Sequence, residues 1–207
     1  MDLQIGRVLQ ELDSNGVSEN TIVVFTSDNG GERYADTWPF TGRKTELLEG
    51  GLRIPAVISW PGRVPRGSVS DQVMISMDWL PTLLAAAGTA ADPAYPPDGT
   101  NLVPWLTQGA APMPRKLFWR YKRADQQAAR DGDWKYLKIL DNTFLFDVIE
   151  DPMERANLKE RRRDVYDRLV AQWNEWNAIM LPLDPQSFSR GFTSAELADH
   201  FGAKAGA

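Results

Sequence analysis

A short apolar run, Thr21-Ile-Val-Val-Phe-Thr26, stops abruptly at Ser27-Asp28-Asn29-Gly30-Gly31, and this junction constrains the fold more than any other stretch of the chain. β-branched and aromatic residues without polar alternation predict a strand buried on both faces, as in a parallel sheet. The polar, glycine-rich stretch that follows is then a loop at the carboxyl end of the strand, where α/β sheets carry their ligands. Ahead of the strand, Ile5, Val8, Leu9 and Leu12 recur at helical spacing, and Asn15-Gly16 provides a stop. Helix, strand and functional loop in this order predict an α/β region.

Ile54-Pro-Ala-Val-Ile-Ser-Trp60 predicts a second strand, ended by Pro61-Gly62. Asp78 is placed to cap a helix carrying Leu80, Leu83, Leu84 and Ala87 on one face, with Gly88 beyond its end. The stretch to residue 115, rich in Pro, Ala and Gly, predicts a connector. The pattern then changes. Leu117–Tyr121, Trp134–Ile139 and Phe144–Phe146 are short, partly alternating runs joined by Asp131-Gly132 and Asp141-Asn142, as in an antiparallel meander. Tyr166, Leu169, Trp173, Trp176 and Met180 then recur at helical spacing, and that helix is expected to cover one face of the meander. The expected division is an α/β part over residues 1–90, a connector over 91–115, an antiparallel subdomain with its helix over 116–185 and a tail over 186–207.

Composition bounds the function. The 207 residues carry a formal net charge of -5, against a nucleic-acid partner, whose reader would normally be basic. No apolar run approaches the roughly 20 residues that span a bilayer. Cysteine is absent, which removes disulfides, thiolate metal sites and a cysteine nucleophile together. Met1 stands at the edge of an amphipathic helix, a start that a truncated domain would also show, and it is not followed by a secretory leader.

Few side chains can carry chemistry. Asp28 and Asn29 offer a carboxylate and an amide oxygen at a strand end, donors suited to a hard cation such as calcium or magnesium. The same pair also suits an Asx turn completed by Gly30. Lys44, in Gly42-Arg43-Lys44, could hold an anion as a point charge or be a solvated surface lysine. In Glu49-Gly50-Gly51-Leu52-Arg53, Glu49 and Arg53 are spaced to pair while the glycines admit close backbone approach. His200 is the single histidine and has no evident partner; Arg161-Arg162-Arg163 suits a solvated helix face. There is no nucleotide-binding glycine loop, nucleophile elbow or metal-ligand histidine pair.

Taken in order, these segments resemble the sulfatase family of the alkaline-phosphatase-like superfamily. The likeness rests on Thr21–Gly30, Gly42-Arg-Lys44 leading to Glu49-Gly-Gly-Leu-Arg-Ile-Pro55, Ser59-Trp-Pro-Gly62, Met77–Leu84, Arg130-Asp-Gly-Asp-Trp-Lys-Tyr136, Leu145-Phe-Asp147 and Asp151-Pro-Met-Glu154 with Asn157-Leu158. The resemblance implies part of an alkaline-phosphatase-like central sheet with helices, plus a small C-terminal antiparallel sheet packed by one helix. It implies that Asp28 and Asn29 bind a divalent cation, usually calcium, and that Lys44 contacts the sulfate group. The family's nucleophile is a formylglycine made from Cys or Ser within a Cys/Ser-x-Pro/Ala-x-Arg motif, and Ser187-Phe-Ser-Arg190 does not fit it. The expectation is therefore a sulfuric ester hydrolase without its nucleophile segment, inactive by itself and prone to self-association. The same resemblance leaves open a phosphonate or phosphate monoester hydrolase, or a non-catalytic module.

Overall fold

The computed structural model describes residues 1–32 and 34–183. The tail expected from residue 186 onward, and His200 with it, lie outside the described residues. Along the chain run helix α1 (Asp2–Ser14), strand β1 (Val23–Thr26), the one-turn helix α2 (Glu49–Leu52), strand β2 (Ala56–Ser59), helices α3 (Trp79–Ala86) and α4 (Val103–Gln108), strands β3 (Lys116–Tyr121), β4 (Gln126–Asp131), β5 (Trp134–Ile139) and β6 (Asn142–Asp147), and helix α5 (Arg163–Ala178). They sort into two compact units, one of residues 1–28 and 55–113, the other of residues 29–54 and 114 onward.

In the first unit, β1 pairs antiparallel with β2, Val23 opposite Ser59 and Thr26 opposite Ala56. The expectation of a parallel, doubly buried strand is thus corrected: Phe25 and Thr26 are exposed, and so is Val57 of β2. Strand propensity set the conformation, but partner direction is a tertiary choice that periodicity does not encode. Helix α1 forms where predicted, yet none of its residues is buried among the described ones. The buried node of this unit is polar. The Asp78 carboxylate does not cap α3; it accepts the N–H groups of Ile75 and Thr100, both at 2.8 Å. Thr82 accepts the N–H of buried Leu102 at 2.9 Å, so α3 buries its threonine while Leu80 and Leu83 face outward. The stretch expected to be connector carries α4, begun with Pro104 in its first turn and ended by Gly109 in the left-handed conformation.

The second unit realises the meander with one strand beyond the three expected runs, β4. Strands β3, β4, β5 and β6 form one antiparallel sheet in sequence order. Residue alternation gives it two apolar faces. On one face Ala129, Tyr136 and Leu145 pack against Val165, Leu169 and Trp173 of α5, as the helical spacing predicts. The Trp173 indole N–H donates to the Trp119 carbonyl at 2.9 Å, so this large buried ring keeps its one polar atom satisfied. On the other face Ala128, Leu137, Ile139 and Phe146 pack against Leu47 and Leu48. The loop that carries Lys44 is therefore anchored to the sheet through its own leucines. No helix among the described residues is long and apolar enough to cross a membrane.

Candidate functional site

Asp28 and Asn29 follow β1 directly. Among the described residues the Asp28 carboxylate is exposed and has no hydrogen bond or ion pair, while Asn29 is half-buried and engaged. A carboxylate and an amide oxygen are hard donors of the kind calcium takes, and an unpartnered carboxylate is free to take it. In kind, the pair fits the cation that the resemblance implies. In number it falls short of the roughly 6 to 8 oxygens calcium collects. No group of three or more His, Cys, Asp or Glu side chains among the described residues is placed to hold a metal ion.

Lys44 sits in a loop built by glycines. The Lys44 N–H donates to the Gly31 carbonyl at 2.8 Å, the Gly30 N–H to Gly51 at 3.0 Å and the Gly50 N–H to Thr41 at 2.7 Å. Those approaches exclude side chains: a Cβ on Gly30 would lie 2.0 Å from the Gly50 oxygen, and one on Gly50 would lie 2.3 Å from the Gly42 oxygen. Immediately after Lys44, Thr45 has φ +76°, a conformation that a β-branched residue holds only under constraint. The constraint is Gln126, 1% exposed. Its amide N–H donates to the Thr45 carbonyl at 3.0 Å, and its amide oxygen accepts the Leu47 N–H at 2.9 Å. Thr41 adds a hydroxyl donation to the Met153 carbonyl at 2.5 Å. The Lys44 ammonium remains 44% exposed and pairs with the exposed Glu32 at 3.0 Å. Such an exposed pair holds its partners weakly and can yield to another anion.

Glu49 pairs with Arg53 as expected, at 3.8 Å, but its main partner was not foreseen. The Lys135 ammonium, fully buried, lies 2.9 Å from Glu49 and 2.9 Å from Glu154, and Arg130 approaches Glu49 at 3.9 Å. Glu154 also accepts the Glu49 backbone N–H at 2.6 Å. Burial would raise the Glu49 carboxyl, but Lys135, Arg130 and Arg53 override it and hold the group below the usual carboxylate range. Burial dominates at Glu154 and, with Glu49 close by, keeps its carboxyl above that range despite Lys135. For Lys135, burial favours the neutral amine, yet the two carboxylates more than offset this and the ammonium is held above its ordinary value. The signal for Lys135 was in the alternation: it shares a strand face with Leu137 and Ile139, both buried. Gln126 and Glu154 carried no comparable signal, because their partners lie 81 and 105 residues away in sequence.

The elements and sheets are those of the hydrolases with an alkaline-phosphatase-like fold. The chain belongs to the sulfatase family, whose model matches residues 1–89. Human N-acetylgalactosamine-6-sulfatase is 40% identical over 141 residues, which cover 65% of this chain and 27% of that protein. The chain thus spans little more than a quarter of the length of that relative. The crystal structure of Ps i-CgsB with k-i-k-neocarrahexaose matches 84% of this chain and 40% of its own at a TM-score of 0.79 and 28% identity. The phosphonate monoester hydrolase of Agrobacterium radiobacter matches 85% of this chain and 38% of its own, with a TM-score of 0.64 and 27% identity.

Proposed function

We propose that this chain is the part of a sulfuric ester hydrolase that supplies two metal ligands, Asp28 and Asn29, and one sulfate contact, Lys44, and that the attacking oxygen comes from outside these 207 residues. The observation that carries this reading is Lys44: its loop is held by backbone hydrogen bonds and by buried Gln126, yet its ammonium stays partly open and pairs with an exposed carboxylate. A sulfate ester is an anion whose charge moves toward the leaving oxygen as the S–O bond breaks. An ammonium carried on a held backbone can stabilise that shift. Asp28 and Asn29 would hold the divalent cation, calcium by the kind of donor they offer, with remaining oxygens from water, substrate or other segments; when bound, the cation supplies Lewis-acid polarisation of the sulfate oxygens. The formylglycine of the family would supply the nucleophile.

Sulfated sugars are the proposed substrate class, supported by the name of the human relative; aryl sulfates are the convenient probe. A second reading, a phosphonate or phosphate monoester hydrolase, is favoured by one observation, the match to the Agrobacterium enzyme. The test is turnover of 4-nitrophenyl sulfate and of 4-nitrophenyl phosphate and phosphonate esters with calcium, by the chain alone and by the same chain joined to the coding sequence upstream of Met1. We expect no turnover by the chain alone, sulfate-ester turnover by the joined form, and a loss of about 10²–10³ on Lys44→Ala. Equal turnover by both forms would refute the missing nucleophile; preference of the joined form for phosphonate or phosphate esters would favour the second reading.

A further inference from the structure

Three motifs that play no part in the chemistry above meet at one point. Glu49 comes from Glu49-Gly50-Gly51, Lys135 from the β5 run Trp134–Ile139, and Glu154 from Asp151-Pro152-Met153-Glu154. The cluster contacts no substrate, since Lys135 and Glu154 side chains have no exposed surface and that of Glu49 has 4%. A buried ion cluster is costly to desolvate and is weak grounds for stability by itself. Its placement is more telling. It closes one end of a backbone stretch whose other holds are Thr41 on Met153 and Gln126 on Thr45 and Leu47. Lys44 lies between those holds, next to the constrained Thr45.

We infer that Lys135 and Glu154 are positioning residues for Lys44: their buried bridge to Glu49 fixes the loop of residues 41–52 on the sheet, and with it the place of the Lys44 ammonium. Glu154 is the pivot, because one of its oxygens takes the Lys135 ammonium and the other the Glu49 backbone N–H. The bridge thus grips the loop by both side chain and backbone. Residues more than 80 positions downstream set where the anion contact stands. This inference rests on the reading of Lys44 as the anion contact, but its test does not need turnover.

The experiment is amide hydrogen exchange with mass spectrometry on this chain, comparing the wild type with Lys135→Met and Glu154→Gln, alongside the rate at which a water-soluble reagent acetylates the Lys44 amine. Lys135→Met keeps the stem and removes the charge; Glu154→Gln is nearly isosteric and is the decisive variant should Lys135→Met fail to fold. A positioning role predicts that peptides within residues 41–52 exchange about tenfold faster or more, while α5, on the opposite face of the sheet, keeps its protection. Acetylation of Lys44 should rise in the same variants, and that of the exposed Lys116 should not. Unchanged exchange in 41–52, or a uniform loss of protection that includes α5, would overturn the inference, as would an unchanged Lys44 rate. The separate reading of Lys44 as the sulfate contact stands or falls on Lys44→Ala in the turnover assay.

Discussion

Replacing Gly51 by alanine tests how closely the loop around Lys44 is fitted. The added Cβ would lie 2.0 Å from the Glu46 carbonyl oxygen and 2.5 Å from that of Arg43, where ordinary contact begins at 3.4 Å. The nearer oxygen would have to retreat by 1.4 Å, the difference between 3.4 and 2.0. Both obstacles are backbone atoms, so no side-chain rotation relieves them. They flank Lys44 and Thr45, and the Arg43 carbonyl already accepts the Glu46 N–H at 3.0 Å. Overpacking of this sort costs about 1–3 kcal/mol, and alanine returns up to about 1 kcal/mol of helix propensity in the single turn of α2. Because two backbone groups clash, a net loss of about 2 kcal/mol is expected, which lowers Tm by about 4–8 °C in a chain of this size. Gly6→Ala is the matched control: the same atoms are added in the middle of α1, where nothing lies within 4 Å. That change should be neutral or stabilising by up to about 1 kcal/mol. Thermal melts followed by near-ultraviolet circular dichroism, to which the eight tryptophans contribute, measure both variants. A Gly51→Ala melt that overlays the wild type would refute the close fit of the loop.

Other expectations follow from the same structure. Asp28→Ala should leave the melt without metal unchanged, because the side chain is exposed and unpartnered among the described residues, and should weaken calcium binding in a calorimetric titration; equal affinity would remove Asp28 from the metal site. Trp173→Ala should cost about 3–5 kcal/mol in urea denaturation, since the ring is 6% exposed and its N–H donation to Trp119 is lost. The Glu154 carboxyl is held above its ordinary 4.5, so the folded state binds the extra proton and the stability this group gives is complete below 4.5 and lost as pH rises through its folded value. Glu49, held below 4.5, acts in the opposite sense: its stabilisation is present above 4.5 and lost on acidification through its folded value. Glu154→Gln removes the first dependence, so urea midpoints should show its stability relative to the wild type climbing as pH rises above 4.5; a flat difference would argue against the raised carboxyl.

Local pattern and tertiary choice divide this protein cleanly. Periodicity placed α1, both early strands, three of the four strands of the meander and α5, because helix and strand periods are properties of neighbouring residues; β4, Gln126–Asp131, was missed. It also placed Asp28 and Asn29 at the end of β1, since strand end and loop are local events, and the ordered motifs were enough to mark the sulfatase likeness. The direction of β1 against β2 was not legible, because either pairing satisfies the same run of Val23-Val24-Phe25-Thr26. Nor was the outward turn of Leu80 and Leu83, which depends on Thr82 finding Leu102, a residue 20 positions away. The hold on Lys44 shows the limit most plainly. Lys135 could be suspected, because a lysine alternating with Leu137 and Ile139 must be buried with them if the strand is covered. What would neutralise it could not be, because Glu49 and Glu154 reach it only once β4, β5 and β6 are paired and the loop of Leu47 and Leu48 has closed over their face. A buried charge is tolerated only when its partners arrive with it, and which partners arrive is decided by the folded chain as a whole.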